Sequence, residues 1–177
     1  MPVYSFKEFK PVIPSSCFIA PSADLIGDID LKENVNIWFG TVVRGDVANI
    51  SIGENVNIQD MCMLHVVENM PLKIGNNVSV GHKVTLHACT VEDSCLIGMD
   101  AVLLDECVIG KNSVVAAGSV VPPRKVFPPN SMIMGAPAKV VRALTSKEIN
   151  QYGNHYKSYL NYKDIYRDES KFELISK

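Results

Sequence analysis

Residues 91–121 read VEDSCLIGMDAVLLDECVIGKNSVVAAGSVV. An aliphatic side chain recurs at every sixth position of this stretch, and the same spacing extends back to Ile19 with three changes of phase. Neither a heptad nor a 3.6-residue helical stripe can keep a strict period of six over about a hundred residues. A solenoid of hexapeptides keeps it, because each short strand and corner repeats and the stacked coils bury one continuous core. The spacing therefore predicts a parallel β-helix.

Small or β-branched side chains recur four residues after most of the aliphatic anchors, where the chain must turn a tight corner. Cys62, Cys95 and Cys107 occupy this corner position, and we interpret them as compact core residues. The chain has five cysteines, an odd number, and no two of them have CxxC spacing. The cysteines therefore indicate neither a thiolate metal site nor a redox motif.

The composition excludes several classes of protein. With 177 residues and 47% apolar content, the chain is long enough to bury one full core. The formal net charge of -2 provides no basic surface for nucleic acid, and no apolar run approaches the roughly 20 residues of a membrane span. The N-terminus lacks the basic start and apolar run of a signal peptide. We therefore expect a cytoplasmic protein that binds a small molecule, with no membrane or nucleic-acid partner.

The chain divides into two parts. We predict a β-helix domain over residues 1–144, with an N-terminal cap and a proline-rich exit segment, and a C-terminal helix and tail over residues 145–177 that pack on it. Two proline pairs within residues 122–129 should end strand pairing near Val121, because proline supplies no donor to a ladder. Thr145-Ser146-Lys147-Glu148 is a capping-box pattern for the start of the helix. The apolar stripe of this helix would consist of Ile149, Tyr152, Tyr156 and Leu160.

The period of six changes phase between Val43 and Ile52, between Leu64 and Ile74, and between Leu86 and Val91. A break in the period of a solenoid indicates a loop that leaves the coil, and such loops tend to line the working face. Residues that could take part in chemistry lie beside all three breaks: Arg44, Asp46, His65 and His87.

Two histidines are expected to stack on adjacent coils. With three hexapeptides per turn, Leu64 and Leu86 lie on the same face, and His65 and His87 directly follow them. Both imidazoles should therefore point outward, one above the other, at the coil spacing of about 4.8 Å. Two imidazoles at that separation can share one metal with Zn–N bonds of about 2.0–2.1 Å. We predict that His65 and His87 bind a metal.

A third histidine, His82, lies two residues after Val80 and therefore on the neighbouring face of the coil. From there it cannot easily reach the His65/His87 pair of its own chain. A second copy of the chain, packed against that face, could bring its own His82 to the pair. The spacing therefore indicates a metal shared between subunits, and a trimer is the simplest closed arrangement.

Five short motifs now form a recognisable set: Val43-Arg44-Gly45-Asp46, Asn57-Ile58-Gln59-Asp60, Leu64-His65, Gly81-His82 and Leu86-His87. Together they resemble the gamma-class carbonic anhydrase family, and the resemblance covers nearly the whole chain. Three further motifs are similar to the bacterial branch of that family: Ile97-Gly98-Met99, Ala116-Ala117-Gly118-Ser119 and Gly135-Ala136-Pro137-Ala138-Lys139. The resemblance implies a left-handed parallel β-helix and a homotrimer with three metal sites between subunits.

The resemblance also implies a role for individual residues. His65 and His87 would be metal ligands from one subunit, and His82 would be the ligand from its neighbour. Gln59 would contact the metal-bound water or bicarbonate, with Asn57 as the adjacent polar residue.

Four other residues complete the site that the family implies. Asp60 and Arg44 would form an ion pair between subunits, with Asp46 beside them. Tyr156 could match a tyrosine that the terminal helix brings near the site.

The segment after the first histidine departs from the family archetype. In that archetype a long acidic loop carries protons to solvent, whereas the segment between Val66 and Lys73 is short and has Glu68 as its only acid. Val47 also replaces an acidic residue of the archetype. Glu68 is therefore the candidate for proton exit, and activity could be weak.

The resemblance implies reversible hydration of CO2 to bicarbonate. The divalent metal would be zinc first, with iron or cobalt as alternatives, because imidazole suits all three. Two other functions remain open on the same fold. One is a hexapeptide-repeat acyltransferase, which uses a single histidine as base and a cleft for coenzyme A. The other is a trimeric metal-binding scaffold with weak or no catalysis.

Overall fold

The computed structural model describes residues 2–175 of the chain, which contain nineteen short strands and two helices. In chain order the first ten strands are β1 (Val3–Tyr4), β2 (Phe18–Ile19), β3 (Asp24–Leu31), β4 (Asn36–Ile37), β5 (Val42–Ile52), β6 (Asn57–Ile58), β7 (Met63–His65), β8 (Leu72–Ile74), β9 (Ser79–Val80) and β10 (Thr85–His87). The next nine are β11 (Thr90–Val91), β12 (Leu96–Ile97), β13 (Val102–Leu103), β14 (Val108–Ile109), β15 (Val114–Val115), β16 (Val120–Val121), β17 (Val126–Phe127), β18 (Ser131–Gly135) and β19 (Ala138–Ala143). The helices are α1 (Ser146–Gly153) and α2 (Tyr156–Arg167).

The strands build a stack of three-sided coils. The first side contains β5, β7, β10, β13 and β16, and the second contains β5, β8, β11, β14 and β17, because β5 bends around the edge between them. The third side is the eight-strand sheet from β2 to β19. Leu96 pairs in parallel with Val114, which lies three hexapeptides further along the chain. The prediction of an all-β parallel β-helix of hexapeptide repeats is confirmed, and its left-handed sense stays a prediction.

The aliphatic anchors fill the interior of the stack. Burying each of these side chains stabilises the fold by roughly 1.5–3 kcal/mol relative to leaving it exposed. Cys62, Cys95 and Cys107 are buried as well, which confirms their interpretation as core residues. Twelve of the anchors are completely buried: Leu25, Ile37, Val43, Ile58, Leu64, Val80, Leu86, Ile97, Leu103, Ile109, Val115 and Val121.

The prediction that strand pairing ends at Val121 is wrong. β17 pairs in parallel with β14, and β18 pairs in parallel with β15, so the coil continues through Ile133. The proline pairs lie between strands, at the corners before β17 and before β18, where the ladder needs no backbone donor. The chain then turns back, and β19 pairs antiparallel with β18.

The first phase break is not a loop. β5 is one continuous strand of eleven residues, and its register against β3 shifts between Gly27 and Ile29. The extra residues are absorbed where β5 turns from one side of the coil to the next, as a β-bulge does. The second break is a short loop closed by an antiparallel bridge between Val67 and Met70.

The C-terminal helix is present but divided. The capping box is confirmed, because the side chains of Thr145 and Glu148 each bond the backbone of the other. α1 ends at Gly153, and α2 begins at Tyr156 after a turn at Asn154 and His155. Tyr159 and Tyr166 pack against Trp38 at ring-centroid distances of 5.5 and 4.9 Å, so α2 covers the third side of the coil. The proposed boundary at residue 144 stays a prediction.

Candidate metal centre

Two histidines lie side by side on adjacent coils. β7 and β10 pair in register, so that His65 is opposite His87, while Leu64 and Leu86 are fully buried. Because side chains alternate along a strand, both imidazoles point outward. His65 Nδ1 lies 3.2 Å from His87 Nε2, and the ring centroids are 5.2 Å apart. The predicted stacking is confirmed, and the role of the pair as ligands stays a prediction.

A carboxylate holds the far ring nitrogen of each member of this pair. Asp46 Oδ1 lies 3.2 Å from His65 Nε2, and Asp105 Oδ1 contacts His87 Nδ1. Each carboxylate can accept the proton of that nitrogen, so the nitrogen that faces the other ring keeps its lone pair. With both protons held at the far nitrogens, the facing nitrogens, which lie 3.2 Å apart, have lone pairs that repel each other. A cation between them would replace this repulsion with attraction.

The donor set fits a divalent metal. Two nitrogens bound to one tetrahedral zinc at about 2.0–2.1 Å would be about 3.3 Å apart, and the observed separation is 3.2 Å. Neutral imidazoles suit zinc, iron and cobalt alike. Among residues 2–175 of one chain, however, no three His, Cys, Asp or Glu side chains cluster as a metal site. A single chain therefore offers two imidazole donors.

Arg44 lowers the pKa of both His65 and Asp46. It is opposite His65 in the ladder between β5 and β7, and its guanidinium contacts Asp46. Partial burial lowers the pKa of His65, and the positive charge of Arg44 lowers it further against the opposing effect of Asp46. Burial acts to raise the pKa of Asp46, but hydrogen bonds with Arg44 and His65 outweigh it and hold that pKa below its usual value. A neutral imidazole therefore lies beside an ionised carboxylate at neutral pH.

His82 lies at a different corner of the coil. It follows Gly81 at the end of β9, and its Nδ1 lies 2.9 Å from Asp60 Oδ2 on the preceding coil. In the described part of the chain it contacts neither His65 nor His87. Its side chain is 39% exposed, which leaves it accessible to another molecule. Within one chain Arg44 and Asp60 have different partners, so the predicted ion pair between them across subunits stays a prediction.

Gln59 and Asn57 lie almost fully buried beside the His82 corner. Gln59 Nε2 donates to Asn57 Oδ1 at 3.1 Å, and Asn57 Nδ2 donates to Ser79 Oγ at 2.8 Å. Gln59 directly precedes Asp60, which contacts His82. The structure therefore places these two amides with His82 and not with the His65/His87 pair of the same chain.

A cavity of about 260 Å³ lies between the N-terminal segment and the bend of β5. Glu68, Asp46, Glu8 and Asp28 all line it, so the predicted proton acceptor shares a space with the carboxylate that contacts His65. The sequence analysis found Glu68 and missed Glu8, which comes from a distant part of the chain. No period in the sequence connects these two residues.

The structure does not bring Tyr156 to the His65/His87 pair of its own chain. Tyr156 begins α2 and lines a shallow groove with Asn77 and Asn112. Burial and, to a smaller extent, the negative charge of Asp60 raise the pKa of Tyr159 in α2 to about 12, so this tyrosine lies near the residue that contacts His82. The role predicted for Tyr156 stays a prediction.

Asp105 is the main residue that the sequence analysis missed. It follows His87 by 18 residues and, because Leu86 pairs with Leu103, lies one residue beyond the position opposite His87 in the next coil. That spacing is the signal that could have identified it as a neighbour of His87.

Comparison with known proteins places the chain in a family. Residues 88–123 match the model of the bacterial transferase hexapeptide family (six repeats). A carbonic anhydrase of Geobacillus kaustophilus is 46% identical over 165 residues, which are 93% of this chain and 91% of that protein. Gamma carbonic anhydrase 2 of Arabidopsis thaliana mitochondria is 42% identical over 174 residues, which are 94% of this chain. The chain belongs to the gamma-class carbonic anhydrase family.

This membership confirms the resemblance found in the sequence, and it confirms a carbonic anhydrase at the level of the family. The chain spans 63% of the length of the Arabidopsis gamma carbonic anhydrase. Across residues 2–175, neither helix has both the length and the apolar character of a membrane span. The cytoplasmic location stays a prediction.

Solved structures of similar shape carry transferase names. A crystal structure from Bacillus cereus, provisionally named as an acetyltransferase, has a TM-score of 0.89 at 40% identity and covers 93% of this chain and 96% of its own. Galactoside acetyltransferase in complex with coenzyme A has a TM-score of 0.52 at 24% identity, and covers 63% of this chain and 61% of its own. The second likeness shows the fold alone, since gamma carbonic anhydrases and acyltransferases share it.

Proposed function

We propose that this protein catalyses the reversible hydration of CO2 to bicarbonate at a divalent metal between subunits. The observation that carries the proposal is the His65/His87 pair, whose facing nitrogens lie 3.2 Å apart and whose far nitrogens both contact carboxylates. Carbonic anhydrases among the relatives support the reaction.

The proposed metal is zinc first, with iron or cobalt as alternatives. A divalent metal held by neutral imidazoles, when bound, lowers the pKa of a coordinated water to about 7 and so supplies hydroxide near neutral pH. His65 Nδ1 and His87 Nε2 would hold it. Asp46 and Asp105 keep those two nitrogens deprotonated by accepting the proton at the other side of each ring.

The third ligand in this proposal is His82 of a neighbouring copy in a homotrimer. Two apolar surfaces support such packing. The first lies around His82, where Met61 and Met99 are 63% and 52% exposed. The second is the outward face of the first side of the coil, beside the His65/His87 pair, and it presents Val42, Met63, Thr85, Val102 and Val120. Packing one surface on the other would bury both and bring the histidines together.

Gln59 is proposed to orient the reactants. Its Nε2 is used by Asn57, so its Oε1 remains free to accept a hydrogen bond from a hydroxyl group of water or bicarbonate. Because Gln59 belongs to the His82 corner, it would act at the metal site of the neighbouring subunit's histidine pair.

Proton exit is proposed to run through the cavity next to Asp46. A proton released near His65 can pass to solvent through the carboxylates that line this cavity, of which Glu68 and Glu8 are exposed. Each hydration turnover releases one proton, so the rate of this step can limit turnover.

The rival function is acyl transfer, which the name of the Bacillus cereus structure favours. An acyltransferase needs one histidine as a base, whereas two imidazoles with facing lone pairs are suited to a cation. A scaffold that binds metal without turnover is the remaining alternative.

Stopped-flow measurement of CO2 hydration tests the proposal. The protein is purified without oxygen and loaded in turn with zinc, ferrous iron and cobalt, and His87→Ala serves as the inactive control. We expect hydration by at least one loaded form and none by His87→Ala. Turnover of acetyl-coenzyme A by metal-free protein would favour the transferase, and metal-loaded trimer with no hydration would favour the scaffold.

A further inference from the structure

A buried row of hydrogen-bonding groups leads from Gln59 to the junction of the two C-terminal helices. Gln59 Nε2 donates to Asn57 Oδ1, and Asn57 Nδ2 donates to Ser79 Oγ. Ser79 Oγ lies 3.3 Å from His155 Nδ1. Asn57 and Ser79 are at most 1% exposed, so water cannot easily replace these partners.

With the hydroxyl hydrogen of Ser79 kept inside the row, the row can point in two directions. If His155 Nδ1 carries no proton, it accepts from the hydroxyl of Ser79, and each upstream group then donates toward His155. If Nδ1 carries a proton, Ser79 accepts from His155 and its own hydroxyl hydrogen turns to Asn57. The amide of Asn57 would then have to turn over, followed by the amide of Gln59.

The structure favours the first direction. Partial burial lowers the pKa of His155, so its ring is neutral at pH 7 and one nitrogen lacks a proton. His155 is an exposed residue, so a proton on its Nε2 can bond water. No fully buried side-chain nitrogen or oxygen among residues 2–175 lacks a partner, which means that Gln59 Oε1 reaches the surface while Nε2 is used inside.

We propose that Ser79 and His155 are positioning residues that fix the amide of Gln59 with its oxygen toward the reaction site. The inference rests on the proposed function, since Gln59 must act on water or bicarbonate for its orientation to matter. It also assigns a role to the helix junction, because the turn between α1 and α2 brings His155 into contact with Ser79. Docking of the C-terminal helices is thereby coupled to a group that lies beside the His82 corner.

The direct test measures how fast the side-chain amide protons of Gln59 exchange with solvent. NMR of the 15N-labelled, metal-loaded protein monitors this exchange. The signals are assigned by their absence in Gln59→Glu. We expect His155→Ala and Ser79→Ala to speed this exchange at least about 5-fold, the factor for one lost neutral hydrogen bond. Lys157→Ala, an exposed change in the first turn of α2, should leave it unchanged. Unchanged exchange in both His155→Ala and Ser79→Ala would overturn the proposal.

A double-mutant cycle on kcat/KM for hydration provides the second readout. His155→Ala should lower kcat/KM about 5-fold through kcat. The double variant Ser79→Ala/His155→Ala should have the same kcat/KM as Ser79→Ala alone. Ser79→Thr keeps the hydroxyl and should retain most activity. Fully additive losses in kcat/KM would contradict a connected row of hydrogen bonds. If the wild type has no hydration activity, the proposed function fails. Amide exchange still decides whether Ser79 and His155 fix the amide of Gln59.

Discussion

His65 Nδ1 faces His87 Nε2 across 3.2 Å, although the two residues are a full coil apart in sequence. Both rings are oriented by carboxylates that come from further coils, Asp46 before the pair and Asp105 after it. Residues from four consecutive coils therefore contribute to one small site. In the proposed site, the metal affinity would therefore depend on residues that do not touch the metal.

The first prediction concerns Asp105. Asp105→Asn should weaken metal binding by about 10- to 100-fold, because the amide no longer holds His87 with its proton on Nδ1. Glu106→Gln is the matched control, since it removes a neighbouring exposed carboxylate. Competition with a chelator measures the affinity of all three proteins. Equal affinities for Asp105→Asn and wild type would show that the contact is incidental.

Proton exit should depend on two acids that share the cavity beside Asp46. In weak buffer, Glu68→Gln should lower the hydration rate, and Glu8→Gln/Glu68→Gln should lower it further, because both side chains line that cavity. A small imidazole-type buffer should restore the rate of both variants, since it can carry the proton instead. Glu54→Gln, an exposed acid elsewhere, provides the control. A rate independent of buffer in every variant would rule out this exit.

The cysteines should differ sharply in reactivity. Cys17 is the half-buried one of the five, and the other four are buried. Burial raises the pKa of both Cys62 and Cys95 to about 12, so almost no reactive thiolate forms there at pH 8. Alkylation at pH 8, followed by mass spectrometry, should label Cys17 first in native protein and all five in denaturant. Early labelling of Cys62 or Cys95 would contradict the packing.

Two glycines with positive φ should respond differently to alanine. At Gly27 a Cβ would collide with the carbonyl oxygen of Gly45 on the next coil, whereas at Gly118 it would meet no atom within 4 Å. Gly118→Ala should therefore cost about 1–2 kcal/mol for the backbone conformation alone. Gly27→Ala should cost about 1–3 kcal/mol more, because the coils must separate. Unfolding at fixed protein and metal concentration measures both, and equal losses would refute the close approach.

The sequence predicts the parts of the fold that follow its period. The aliphatic anchors determine which residues are buried and which coil positions are neighbours, and this alone places His65 opposite His87. The capping box at Thr145 is equally local. These features depend on spacing within a few residues or within one coil.

Features that depend on contacts outside the period could not be predicted. The bend of β5 brings Asp46 to His65, and the number of residues between Val43 and Ile52 does not reveal whether they form a loop or a bulge. The proline pairs near Val121 looked like an end to the coil because their positions at corners are visible only in the folded chain. Contacts of Glu8 and His155 join distant segments, for which the sequence has no spacing rule.

The central claim is that each metal site combines the histidine pair of one chain with His82 of another. Mixed trimers test it, made by refolding equal amounts of two variant chains together. One variant is His65→Ala/His87→Ala, and the other is His82→Ala. In a ring of three, any trimer that contains both chains has one intact site, while trimers of a single variant have none.

Metal content after co-refolding is the most direct measurement. Random mixing places both chains in about three quarters of the trimers. The account predicts about one tightly bound metal in each of those, and none in either variant refolded alone. Metal-free mixed trimers, or full metal content in the His82→Ala protein alone, would contradict the shared site.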